Sequence, residues 1–166
     1  AALYLAAAGV GRITLVDDDE VDLTNLQRQV MHTTARVGQN KAESGRDALL
    51  QINPGIEVTA VCERVGDARL AELVQGATVV LDCSDNFKTR HAVNRACFAA
   101  KVPLVSGAVI RFDGQVSVYD PRSAASPCYS CLFPEEQNFQ DAACNTMGVF
   151  APLVGVIGAM QAAEAL

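Results

Sequence analysis

An unbroken apolar run, Thr78-Val79-Val80-Leu81, stops abruptly at Asp82-Cys83-Ser84-Asp85-Asn86. A short run with no polar alternation has no solvent-facing side, so it suits a central strand of a parallel sheet covered on both faces. Polar residues at the carboxyl end of such a strand lie where open α/β sheets hold their ligands. The arrangement also occurs earlier, where the strand Arg12-Ile13-Thr14-Leu15-Val16 runs directly into Asp17-Asp18-Asp19-Glu20. These two strand ends are where chemistry is to be sought.

The intervening sequence supplies helices and further strands. Leu3 to Ala8 reads as the end of an Ala-rich helix closed by Gly9 or Gly11. Lys41 to Asn53 predicts a helix with Ala42, Gly45, Leu49 and Ile52 on its inner face, stopped by Pro54. Ile56 to Cys62 predicts a strand, Asp67 to Gln75 a short helix closed by Gly76, and Phe87 to Ala100 a longer helix. Leu104 and Val105 begin another strand. Asp113-Gly114, between apolar runs ending at Phe112 and starting at Gln115, predicts a two-residue hairpin turn. Pro152 to Leu166 is apolar almost all the way round and predicts a buried helix against which another helix or a subunit packs. The fold class expected is α/β, a Rossmann-like three-layer mixed sheet whose parallel core carries an added antiparallel hairpin.

With 166 residues, half of them apolar, the chain can bury the core of one domain. Thirteen Lys and Arg against 19 Asp and Glu leave a net charge of -6 with no basic run, which argues against a nucleic-acid surface. No signal peptide is evident, and the apolar stretch from Met147 to Met160 is too short to span a bilayer, so a cytoplasmic protein with no membrane partner is expected. Six scattered cysteines do not form a disulfide framework and fit a reducing compartment. The chain opens without Met inside helical sequence and stops at Glu164-Ala165-Leu166, so a fragment of a longer protein is expected.

Three places offer chemistry. A carboxylate such as Asp17 at a strand end can accept hydrogen bonds from a ribose hydroxyl, and Thr24, Asn25, Gln27, Arg28 and Gln29 follow as donors. The rival reading is a solvated acidic turn with Arg28 in an exposed bridge. Lys41 falls in the first turn of its helix, where a cation is disfavoured unless an anion lies close by, which fits a bound phosphate as well as an ordinary exposed lysine. Asp85 or Asn86 serves either a ligand or the cap of the helix that follows. Cys128-Tyr129-Ser130-Cys131 has the spacing of two thiolate ligands of a tetrahedral zinc, of a redox pair, or of two cysteines with no shared role.

With these residues in place, the chain resembles the MoeB/ThiF family, bacterial relatives of ubiquitin-activating enzymes, over essentially its whole length. LTNLQRQ after an acid-ended strand, VGQNKAES at the next helix start, LDCSDN, and CYSC followed by Cys144 occur in the family's order. KVPLVSGAVIRFDGQ resembles the molybdopterin-synthase branch more than the thiamine branch. The resemblance implies that Asp17 binds the ribose of ATP, that Asn25, Arg28 and Lys41 contact phosphates, and that Asp85 holds Mg2+. Thr24 stands where the family often has serine, and Leu26, Gln27 and Asn86 belong to the same ATP-binding motifs. Cys128 and Cys131 match half of a four-cysteine structural Zn2+ site. Cys144 matches a cysteine linked covalently to the carrier in the thiamine branch. Arg28, Lys41, Asp85 and Cys144 are thereby the catalytic candidates.

The reaction implied is ATP-dependent adenylation of the C-terminal glycine of a ubiquitin-like sulfur-carrier protein ending in Gly-Gly, of the molybdopterin-synthase small-subunit type. A sulfur donor of cysteine-desulfurase or rhodanese type would act afterwards, and a homodimer is implied. A glycine-rich phosphate loop roughly 20 residues before the ribose acid and a second cysteine pair would both fall outside the 166 residues. Residues 1–166 are thus expected to be one ThiF-type ATP-binding adenylation domain truncated at both ends, inactive in pyrophosphate exchange by itself. The alternatives are a thiamine-pathway adenylyltransferase, an NAD-dependent dehydrogenase, and a non-catalytic module binding a ubiquitin-like protein.

Overall fold

In the computed structural model, which describes residues 1–135 and 148–166, two units are distinguished, Ala1–Val65 and Gly66–Leu166. The first contains α1 (Ala2–Ala7), β1 (Arg12–Val16), two 3-10 turns (Leu23–Asn25 and Thr34–Arg36), α2 (Lys41–Ile52) and β2 (Glu57–Val61). β1 and β2 pair in parallel, from Arg12 opposite Glu57 to Val16 opposite Val61. α1 ends as its sequence predicts: Gly9 takes φ +84°, and the Gly9 and Val10 amides donate to the carbonyls of Ala6 and Leu5. In α2 the expected inner face is buried at Ala42, Gly45 and Leu49, joined by Lys41 and Ser44. Ile52 departs from the expectation, being 45% exposed. The helix stops there, the chain turns at Asn53, whose side-chain Nδ2 donates to the Ala6 carbonyl, and Ile56 is the isoleucine that goes inside.

The second unit contains α3 (Asp67–Gln75), β3 (Val80–Asp82), α4 (Phe87–Ala100), β4 (Leu104–Ile110), β5 (Asp113–Tyr119), the single turn α5 (Tyr129–Leu132) and α6 (Ala151–Ala165). Its sheet has the order β3-β4-β5. β3 pairs with β4 in parallel, Val80 opposite Leu104 through Asp82 opposite Ser106, whereas β5 pairs with β4 antiparallel along its length. β4 is therefore the strand at which parallel pairing changes to antiparallel. Successive residues of a strand face opposite sides, so α4, whose Arg90 reaches Ser106, and α6, whose Gln161 lies against Gly107, cover the two faces. Three layers result within this unit.

Two expectations are corrected here. Ile110 pairs with Asp113, so the hairpin turn is Arg111-Phe112 rather than Asp113-Gly114. Arg111 adopts φ +51°, and its amide and carbonyl bond to the Gly148 carbonyl and the Phe150 amide. Gly114 instead lies inside β5, where a Cβ would stand 2.7 Å from Ile157 Cδ1; the missing side chain admits α6. α6 in turn is not buried all round: Ile157, Gln161 and Ala162 are inside, but Val156 and Met160 are 53% and 50% exposed. A helix on one face of a sheet covers only one of its own sides. Among the described residues no helix is long and apolar enough to cross a membrane.

Candidate functional site

In the first unit, the loop after β1 is clipped to the start of α2. The Asp17 amide donates to the Val61 carbonyl (3.1 Å), and further on Val21 donates to Gln39 O, Gly38 to Val21 O and the Lys41 amide to Asp19 O. Asn40 joins both sides: Oδ1 caps α2 by accepting from the amides of Ala42 and Glu43, while Nδ2 donates to the Asp17 carbonyl at 3.1 Å. This clip delivers Lys41, only 8% exposed, so that its Nζ lies 2.8 Å from Asp19 Oδ2. Asp17 is half-buried and accepts from the Asp19 amide at 3.0 Å. Burial pushes its carboxyl above the usual range, against the opposing pull of that amide and of the Lys41 ammonium. A carboxylate from each of Asp17, Asp18 and Asp19 lies within 4.8 Å of the others.

The donors that follow are held by near neighbours. Asp22 caps the turn Leu23–Asn25 through the Thr24 amide (2.7 Å) and also accepts from the Thr24 hydroxyl. The Arg28 guanidinium donates to Asn25 Oδ1 and not to the acidic run, contrary to the solvated-bridge reading. Leu26 is half-buried and Gln27 exposed. Thus Asp17, Thr24, Asn25, Leu26, Gln27, Arg28 and Lys41 all fall in this one unit, on the loop and helix start that the clip assembles.

Sequence reasoning missed a support beneath them. His32 Nδ1 meets Ser44 Oγ at 2.8 Å and the Arg36 guanidinium donates to the Ser44 carbonyl at 2.7 Å, with Ser44 fully buried one turn beyond Lys41. Burial, then the nearby Lys41 and Arg36 cations, push the His32 pKa below its ordinary value. No local pattern around these three residues announces the contact, because it joins positions 12 apart across a turn.

In the second unit, β3 ends at Asp82 and α4 begins after Asn86. Asn86 is the helix cap, its Oδ1 accepting from the Thr89 amide at 2.8 Å. Asp85 is exposed and is not used as the cap, which resolves the choice between the two residues. Its free oxygen donors suit Mg2+, a hard cation that keeps several waters when bound by one or two carboxylates. Behind it lies a buried polar cluster that the sequence did not disclose. Asp82 Oδ1 accepts from the Ser84 amide (2.9 Å) and hydroxyl (2.7 Å), and Asp82 Oδ2 lies 3.7 Å from Arg90 Nη1 and 3.4 Å from Ser106 Oγ. Arg90 also donates to Ser106 Oγ at 3.2 Å, to the Gly107 carbonyl at 3.2 Å and to the Ser84 carbonyl. From the other face, Gln161 Nε2 donates to the carbonyls of Asp82 (2.9 Å) and Val105 (3.2 Å), while its Oε1 accepts from Cys83 Sγ at 3.4 Å.

Cys128 and Cys131 stand at the two ends of one helical turn with their sulfurs 3.6 Å apart. Two sulfurs of a tetrahedral zinc, each about 2.3 Å from the metal, are separated by roughly 3.8 Å, so the pair fits two corners of such a site. Partial burial acts to raise the Cys128 thiol, but hydrogen bonds from the Cys131 thiol and amide, from Asn94 and from the Ser130 amide outweigh it and leave the thiol below its usual range. α4 fixes this turn: Asn94 accepts from the Tyr129 amide at 2.9 Å, His91 and Asn94 both reach Ser130 Oγ, and the Tyr129 ring packs edge-on to His91 and Tyr119. Among the described residues no third His, Cys, Asp or Glu converges on the pair. Cys144 lies outside the described residues.

The profile of the ThiF family matches residues 1–166. The chain is 52% identical to the molybdopterin-synthase adenylyltransferase of Escherichia coli (strain K12), over 100% of this chain and 66% of that protein. It is 45% identical to the sulfur carrier protein ThiS adenylyltransferase of the same strain, over 100% of this chain and 65% of that protein. Among solved structures it is similar to E. coli MccB with ATP, with a TM-score of 0.78 and 28% identity over 98% of this chain and 49% of that one. The chain thus spans just under two thirds of these two curated relatives.

Proposed function

This chain belongs to the ThiF family, and on that premise we propose that it is the nucleotide-binding part of an adenylyltransferase that activates the C-terminal glycine of a ubiquitin-like sulfur-carrier protein of the molybdopterin-synthase small-subunit type. The observation that carries this reading is the 52% identity to a molybdopterin-synthase adenylyltransferase, extending over 100% of the chain. The lower identity, 45%, to the ThiS adenylyltransferase places the thiamine pathway second. A dehydrogenase would leave Arg28, Lys41 and Asp85 without a common purpose.

In the reaction proposed, a carboxylate oxygen of the carrier's terminal glycine attacks the α-phosphorus of ATP, the bond to the bridging oxygen breaks, and pyrophosphate leaves. Both reactants are anionic, so the protein must cancel charge and fix geometry. Asp17, half-buried at a strand end, would accept from the ribose hydroxyls. Lys41, held at the first turn of a 12-residue helix, and Arg28, held by Asn25, would meet the phosphates. Asp19, which already pairs with Lys41, keeps that ammonium in place until an anion takes over. Asp85 would hold Mg2+, which when bound offsets charge on the phosphates. Asn86, whose Oδ1 is engaged in the cap, would offer its side-chain NH2 to the nucleotide, Thr24 would exchange its hydroxyl bond to Asp22 for one to the nucleotide, and Leu26 and Gln27 complete the loop.

Cys128 and Cys131 would be half of a structural Zn2+ site, the other two thiolates coming from elsewhere in the intact protein. Cys144 would serve in the later transfer of sulfur from a donor of cysteine-desulfurase or rhodanese type, in a cytoplasmic homodimer. Pyrophosphate exchange into ATP by the intact protein, with a carrier ending in Gly-Gly, tests the reading. Exchange that depends on the carrier's terminal glycine is expected; its absence would favour a non-catalytic binding module. Cys144→Ser is expected to keep exchange and to lose carrier thiocarboxylation.

A further inference from the structure

The segment from Asp82 to Asn86 is gripped on both faces of its sheet. On one face Arg90, its side chain 9% exposed, holds the Ser84 carbonyl and sits beside Asp82, whose own side chain is 2% exposed and folds Ser84 back through two bonds. On the other face Gln161 holds the Asp82 carbonyl and the Cys83 thiol. Gly107 makes the room for it, since a Cβ there would stand 2.3 Å from the Gln161 carboxamide carbon. Asp85 comes next, between the tethered Ser84 and the capping Asn86, with its carboxylate exposed.

A buried ion pair gains little stability, because desolvation offsets most of its attraction, and apolar side chains of similar volume would pack as well. Arg90 and Gln161 offer direction instead. Each presents a planar group whose several hydrogen bonds run to the backbone of one loop and to the neighbouring strand β4 at once, so the loop is fixed relative to the sheet. We propose that Arg90 and Gln161 are positioning residues for the adenylation reaction: through the Ser84 and Asp82 backbone they set where Asp85 presents its carboxylate. This assignment rests on the adenylyltransferase reading and deepens it.

Gln161→Met keeps length while removing both donations, and Arg90→Lys keeps the charge but cannot reach all three acceptors together. In the full-length protein, amide hydrogen exchange at Ser84, Asp85 and Asn86 is expected to quicken on the order of ten-fold in either variant, with α3 unchanged. Turnover in pyrophosphate exchange is expected to fall on the order of 10- to 100-fold, as for a reacting group displaced by about 1 Å. KM for ATP should stay within about two-fold, and the half-saturating Mg2+ concentration should rise. Unchanged protection of the three amides overturns the proposal. So does a loss of turnover that merely tracks the folded fraction while the Mg2+ requirement stays constant. A wild-type protein with no exchange activity would sink the adenylation reading and the positioning role with it, and the amide measurement would still report whether the two side chains hold the loop.

Discussion

The two acid-ended strands look alike in sequence, yet their surroundings are built differently. After β1 the polar side chains bond mainly within two or three residues: Asp17 to Asp19, Asp22 to Thr24, Asn25 to Arg28. After β3, beside local bonds such as Asp82 to Ser84, buried side chains also reach across 16 to 79 residues, Arg90 to Ser106 and Gln161 to the Asp82 carbonyl. A loop of the first kind can adjust to a ligand at little cost, since short local bonds at the surface exchange readily with water. A loop of the second kind cannot move without breaking contacts in a low-dielectric interior, where each loss is expensive. On the function proposed above, the first would suit groups that follow a flexible polyphosphate, and the second a carboxylate that must stay where it is.

Substitutions test this contrast. The largest stability effect is expected from Arg90→Met, which strands the buried Asp82 charge; about 3–5 kcal/mol should be lost in urea unfolding. A loss below 1 kcal/mol would show the second loop to be as loosely held as the first. Asp85→Ala should leave unfolding nearly unchanged, because the side chain is exposed, while lowering exchange turnover on the order of 100- to 1000-fold. Near-normal turnover would remove Asp85 from the site. Gly107→Ala pushes a methyl into the Gln161 carboxamide and should cost about 1–3 kcal/mol, detectable as a lowered Tm, with faster amide exchange around Ser84. The smallest effect is expected in the first loop: Asp19, with its side chain 68% exposed, pairs with Lys41 at 2.8 Å, and Asp19→Asn should change stability by less than about 1 kcal/mol. A larger loss would mean that Lys41 is held there as firmly as Arg90 is in the second unit.

The same contrast governs what could be read in advance. The positions of Asp17, Asn25, Arg28 and Lys41 are legible because each follows from one strand end or one helix start. The helices from Asp67 to Gln75 and from Phe87 to Ala100 were legible for the same reason, since period and caps are local. The contacts of Arg90 and Gln161 leave no local signature, because their partners lie on other elements.

The hairpin shows how a local signal can mislead. Asp-Gly is the strongest short signal for a two-residue turn, yet the turn lies two residues earlier. Gly114 is needed inside the strand where α6 crosses it, because a Cβ there would stand 2.7 Å from Ile157 Cδ1.

The α/β class and the strand ends at which polar groups gather can be read from the chain alone. These depend on periodicity and on side-chain chemistry over a few residues. It takes the packed elements to settle that Asn86 and not Asp85 caps α4, that Arg111-Phe112 makes the turn, and that Arg90 and Gln161 grip the loop from opposite faces. The physical reason is that a buried polar group must find its partner wherever the packing of elements places one, and that location is a property of the assembled sheet, not of neighbouring residues in the chain.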